Sequence, residues 1–261
     1  MNETRLLVYG SFIFVALLWQ VGSAFSVLNP MFFSSPTAVV VAGVQEVQTP
    51  LFWNDLRISG FEFLVGYVAA VGSGVVFGFL LGWFRRLGYF FEPWVNALNA
   101  TPSLALMPLV VLWFGLGSTS KVAIVFVTTF VPVVVNTYTA ARTLDQRLVR
   151  VAASFGARRW LLLRTLAFPT IAPFVFAAAR VGVGRAVSGV VVGEFYTAQA
   201  GLAYRLFQYA QLLKTADLLF GALLITALAL GAFKLVEMAE RRVLRWRAAA
   251  TSSRMLQTEE A

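Results

Sequence analysis

The 261 residues contain no histidine and no cysteine, which removes the commonest general base, thiolate nucleophiles, disulfides and metal sites built on those side chains. For bond-making chemistry only Ser–Lys or carboxylate arrangements remain. The residues that do demand an explanation are ions and helix breakers inside apolar runs. Arg180 and Arg185 lie within Ile171–Gly193, Glu194 ends that run, and Pro102 and Pro108 interrupt Trp94–Gly115. An arginine near a bilayer centre costs at least about 2.5 kcal/mol on insertion scales, so each must reach water or a partner. Five residues apart on a helix, the two point about 140° away from each other and cannot both line one narrow channel. Ala179, Gly182, Ala186, Gly189 and Gly193 share an arc of about 80°, which suits close helix packing, a pathway, or both. Arg185 flanks that arc and is the pathway candidate, together with Gly189; an ion pair with Glu62 is the other reading. Around Pro102, Ser103, Met107 and Pro108, broken helix geometry either lines a water-accessible passage or kinks the helix for packing. The chemistry these residues point to is passage of a solute, not reaction upon it.

Such residues need a membrane to position them. The chain is 59% hydrophobic and 13% charged, with a mean hydropathy of +0.77, whereas soluble domains carry about a quarter charged residues. The net charge of +9 does not indicate nucleic acid, because the basic residues sit between apolar spans and not on one soluble face. About six helical spans are predicted, each near the 20 or so residues that cross a hydrocarbon core. They are Leu6–Val27, Gly60–Phe84, Trp94–Gly115, Val122–Tyr138, Ile171–Gly193 and Leu218–Val236. The first has no small-residue cleavage motif and reads as a retained helix, not a signal peptide. Between the first two, Leu28–Arg57 with Pro30, Pro36 and Pro50 reads as an external loop with a short interfacial piece.

Positive residues resist translocation, so their distribution sets the orientation. With the N-terminus inside, Arg5, Arg85, Arg86, Arg142, Arg147, Arg150, Arg158, Arg159, Arg164 and the tail from Lys234 to Arg254 are cytoplasmic. Only Arg57, Lys121, Arg205 and Lys214 are then outside. Both termini are expected in the cytoplasm, with residues 237–261 as a basic anchor. The inner loop, residues 139–170, places Leu148, Val151, Ala152, Phe155, Trp160, Leu163 and Leu166 at helical spacing among arginines. That pattern predicts an amphipathic helix or helix pair, serving either a partner protein or the headgroup layer.

Within this loop, Val149-Arg150-Val151-Ala152-Ala153-Ser154-Phe155-Gly156, followed by Phe168-Pro169, resembles the "EAA" loop of ABC importer permeases. Arg150 stands where the family usually has glutamate. Ala100-Thr101-Pro102-Ser103-Leu104-Ala105-Leu106-Met107-Pro108-Leu109, running into Leu112-Trp113-Phe114-Gly115-Leu116-Gly117, is similar to the third-span segment of the nitrate, sulfonate and taurine branch. So are Asn136, Gly193-Glu194-Phe195 with Ala200-Gly201-Leu202, and the series Ser59, Gly66, Gly72, Gly78 and Gly82. The resemblance runs from about residue 33 to 247.

The resemblance implies an all-α polytopic membrane protein, one permease domain over residues 1–261, of the type I importer kind with a cytoplasmic coupling helix. It would lie in a bacterial inner membrane. Arg150, Ala152, Ala153, Gly156, Ala157, Arg158 and Pro169 would couple it to two copies of an ABC ATPase that hold ATP and Mg. No Gly-Lys-Ser or Gly-Lys-Thr phosphate loop occurs here, so this subunit is not expected to be the enzyme and holds no cofactor. A second permease copy and an extracytoplasmic solute-binding protein complete the implied assembly, with no nucleic acid. Glu194 would shape the outer gate or meet that binding protein, with a surface salt bridge as its alternative. The solute would be nitrate, a sulfonate, taurine or a vitamin precursor. An ion-coupled secondary transporter is the rival, and it would need protonatable groups near the membrane centre, of which the spans offer almost none.

Overall fold

Proline and glycine mark several of the helix boundaries in this chain. The computed structural model describes residues 3–25, 29–144, 146–197 and 199–245. Helix α1 (Glu3–Ala24) is followed by the single turn α2 (Pro30–Phe33), then α3 (Pro36–Val47) and the 34-residue α4 (Pro50–Trp83). Pro30, Pro36 and Pro50 are each the first residue of a helix, where the missing N–H breaks no hydrogen bond and the fixed φ suits the turn. Ser35 caps α3 by accepting from the Ala38 N–H. The expected loop Leu28–Arg57 is therefore mostly helical. Prolines that read as loop markers are helix starts.

After α4 come α5 (Arg85–Ala100), a 3-10 turn at Ser103–Leu106, α6 (Met107–Phe114) and α7 (Ser118–Arg142). Next are α8 (Gln146–Ser154), α9 (Arg159–Leu162), a π-helical turn at Leu163–Ala167, α10 (Phe168–Thr197), α11 (Leu202–Gln211) and α12 (Thr215–Val243). No strand occurs among the described residues. Helices α4, α7, α10 with its lead-in from Trp160, and α12 are long and apolar enough to cross a membrane. The α5 and 103–114 pair makes a fifth span if counted as one. Six spans were expected. Helix α1, Glu3–Ala24, covers most of the first predicted span, Leu6–Val27, and within it Ile13–Ala24 counts as a shorter apolar helix; Val27 lies outside the described residues, as does the tail beyond residue 245. The third predicted span is not one helix, because the chain bends by 90° between its two halves. Pro102 forces Thr101 into extended backbone (φ −74°, ψ 125°), which stops α5.

The chain forms two compact units, Met1–Phe61 with Val191–Leu228, and Glu62–Val190 with Ala229–Ala261. In the second, α7 is the central helix, with Val125, Thr129, Val133 and Thr137 fully buried. Glycines on α4 let α7 approach: a Cβ on Gly78 would meet the Val134 carbonyl at 2.6 Å, and one on Gly82 would meet the Ala141 Cβ at 2.2 Å. Leu81, Val95 and Val134 pack with Phe77 and Phe91 beside this seam. Ala140, Ala141, Leu144, Ala167 and Ile171 close the end near Trp83. In the first unit the ring of Phe52 packs 6.5 Å from that of Phe220, and Phe195 lies 5.9 Å from Phe207.

Candidate functional site

Glu194 organises the polar interior of the first unit. Its carboxylate is fully buried and accepts from the Ser59 hydroxyl at 2.5 Å and the Ala203 and Tyr204 N–H groups at 2.7 and 3.4 Å. The Gly201 N–H donates to Asp55 Oδ1 at 3.0 Å, and the Leu202 N–H to Ser59 Oγ at 2.8 Å. The first N–H groups of α11, which have no partner within their own helix, are thus satisfied by side chains of α4 and α10. Anionic partners there also suit the positive end of the helix dipole. Gly201 has φ +128°, and a Cβ on it would lie 2.3 Å from the Glu194 carboxyl carbon. The two motif pieces, Gly193-Glu194-Phe195 and Ala200-Gly201-Leu202, therefore meet in space. Glu194 is not at the surface; its buried carboxylate caps an interior corner.

Arg205, one turn into α11, pairs with Asp55 and Glu46, and the Tyr209 hydroxyl also donates to Glu46. Burial opposes the Arg205 charge, yet hydrogen bonds to Asp55, Tyr209 and Glu46 outweigh it and hold the guanidinium above its ordinary pKa. Burial, then the bond to Glu46, pushes the Tyr209 phenol up to about 12. One atom of the cluster, Arg205 Nη2, is buried without a hydrogen-bond partner among the described residues. Sequence reasoning passed over Glu46, Asp55 and Tyr209. The available signal was their charge and polarity in an apolar chain, where such groups must pair.

In the second unit, Glu62 pairs with Lys121 at 2.5 Å, both almost fully buried. That overturns an Arg185–Glu62 pair. Arg180 pairs with Glu240, whereas Arg185 is exposed on α10 and has no ion-pair partner among the described residues. Val181 and Ser188 are exposed with it. Gly189 lies on the packed side, where a Cβ would come 2.6 Å from Thr128 Oγ1 and 3.0 Å from the Val125 Cα. Met107 is buried, while Pro102 and Pro108 are exposed and Ser103 is half-buried. Beyond them Leu112, Trp113 and Leu116 present a broad apolar surface.

The loop after α7 is a helix pair. Arg150, Ala152 and Ala153 lie in α8. Gly156, with φ +79°, ends it, and the Ala157 N–H reaches back to the Ala152 carbonyl at 3.1 Å. That is the wrap-around termination glycine permits in the left-handed region. Arg158 is exposed ahead of α9, and Pro169 is the second residue of α10, just after the π-helical turn. Phe155 is 88% exposed and Trp160 74%, with Val151 and Leu161 also exposed. Apolar groups of this size beside arginines mark a surface that something covers.

The same segments carry the likeness to known proteins. The chain is 34% identical to a probable ABC transporter permease protein of Brucella melitensis over 74% of its own length and 78% of that protein. It is 33% identical to the riboflavin transport system permease protein RibX of Chloroflexus aurantiacus, over 89% of this chain and 87% of the relative. With the taurine transport system permease protein TauC of Escherichia coli the identity is 27%, over 84% and 82%. Residues 74–245, which take in Gly78 and Gly82 of the seam, the helix-pair loop, and Glu194 with Gly201, match the pattern of the binding-protein-dependent transport system inner membrane component. The chain belongs to that family and is a permease subunit of an ABC importer.

Proposed function

We propose that two copies of this permease enclose a passage, that two cytoplasmic ABC ATPase subunits holding ATP and Mg dock on α8 and α9, and that an external binding protein delivers the solute. The observation that carries this reading is the exposed surface of Val151, Phe155, Trp160 and Leu161 beside Arg150 and Arg158. Helix α8 ends firmly at Gly156, so a push on it passes to α9 and, through the π-helical turn, into α10. Both termini are cytoplasmic. Of the four cations this orientation leaves outside, Lys121 and Arg205 are buried in ion pairs, so the free positive charge is still more one-sided than the count suggests.

The passage runs along the exposed face of α10 that carries Arg185, between the two copies. The solute is a small organic molecule, in the range that the relatives' names span, from taurine to riboflavin. A positive group on the passage supports an anionic or electron-rich one. Co-expression with the cognate ATPase and purification in detergent tests the docking. Wild type should retain the ATPase and Gly156→Arg should lose it, because a large side chain at φ +79° disrupts the α8 end. Failure of the wild type to retain any ATPase would remove the coupling assignment.

A further inference from the structure

Between Asp145 and Glu194 the chain has no acidic residue, and within that stretch the helix-pair loop carries Arg147, Arg150, Arg158, Arg159 and Arg164. The carboxylates described in the second unit are all taken elsewhere: Glu62 by Lys121, Glu92 by Arg142, Glu237 by Arg241 and Glu240 by Arg180. Arg150 and Arg158 are exposed and have no ion-pair partner among the described residues.

On α8, Arg147, Arg150, Val151 and Ser154 fall within an arc of about 100°, and all four are exposed. Val149 and Ala152, on the other side of the helix, are half-buried. Arg147 and Ser154 stand at the centre of the exposed arc, with Val151 at one margin. A helix seated on lipid has the opposite order, apolar side chains at the centre and cations reaching outward at the margins. The face of α8 therefore suits a protein surface better than a bilayer. Arg158 lies between Phe155 and Trp160 in the chain, so whatever covers those exposed rings also takes water from its guanidinium. A desolvated charge left unpaired is costly, and the covering surface must supply the counter-charge.

We propose that the ATPase surface receiving α8 and α9 is acidic, with carboxylates facing Arg150 and Arg158 around an apolar recess for Phe155 and Trp160. This rests on the docking reading above and adds the charge of the partner. It also makes the pairing selective, because a basic surface of the same shape is repelled.

The full chain is co-purified in detergent with its cognate ATPase. Wild type should retain the ATPase, less so as salt is raised, and Arg150→Glu should retain about tenfold less. Arg150→Lys should keep it. A carbodiimide, which condenses a lysine amine with a carboxylate in contact with it, should then join position 150 of that variant to an aspartate or glutamate of the ATPase, located by peptide mass spectrometry. Phe155→Ser tests docking without changing charge. Loss of the ATPase in Phe155→Ser with full retention in Arg150→Glu would overturn the acidic surface and leave the docking standing. Absence of a joined product at position 150 in an Arg150→Lys complex would likewise overturn it. A wild type that retains no ATPase removes the docking, and the acidic surface with it.

Discussion

Glu194 shows how far a single residue can be read from sequence and where that reading stops. Its position at the end of an apolar run, followed after seven residues by Gly201, is visible in the chain. That the glycine exists to let the carboxylate reach the Ala203 N–H is not, since it depends on the φ of +128° and on Ser59, 135 residues away. Charged residues inside an apolar chain announce that they are paired, but not with whom. Glu62 illustrates this, because the sequence reading paired it with Arg185 and the packing pairs it with Lys121. At this scale, Gly201→Ala should destabilise the protein by about 1–3 kcal/mol, through backbone strain and a clash with the Glu194 carboxyl. Gly60→Ala, where nothing lies within 4 Å of the added Cβ, should not destabilise it. Thermal unfolding in detergent compares the two, and equal midpoints would show that the corner is looser than its hydrogen bonds suggest.

Among the elements, apolar periodicity located the long helices to within several residues but misjudged both their ends and the segments between them. Pro30, Pro36 and Pro50 open helices, and a sequence reading that treats proline as a breaker turns those helices into a loop. The same residue type at position 102 does break one, because there it follows a complete helix and forces Thr101 out of the helical region. Glycines carry a similar ambiguity. The series Gly66, Gly72, Gly78 and Gly82 looks uniform in the chain, yet Gly66, Gly78 and Gly82 face α7 at contact distance while Gly72 faces open space. Substituting leucine separates them. Gly82→Leu should drive α4 from α7 at the Ala141 contact and cost upwards of about 3 kcal/mol, at the severe end of overpacking. Gly72→Leu should leave the unfolding midpoint within about 0.5 kcal/mol of wild type, as surface changes do. A reversed order would mean that the α4–α7 seam is not the one described.

For the whole molecule, membrane residence followed from composition, and the permease family from motifs spread over most of the chain, before any contact was known. The face of α10 that meets a passage was not legible in the same way. Arg180 and Arg185 are chemically identical and both interrupt the span, and one of them is accounted for by Glu240. Arg185 is left exposed on a helix of 30 residues, 17 positions from its start and 12 from its end, near the depth at which lipid is least able to tolerate it. In the proposed homodimer that face meets water and solute, so removal of the exposed guanidinium acts on transport without disturbing the adjacent Gly182 and Gly189 packing. Uptake by vesicles holding the full importer should therefore fall about tenfold in Arg185→Ala, the loss of one charge-assisted contact, with membrane expression close to wild type. Arg185→Lys should recover part of it. If expression falls in step with uptake in both variants, Arg185 serves assembly of the span, and the passage follows a different face of the bundle.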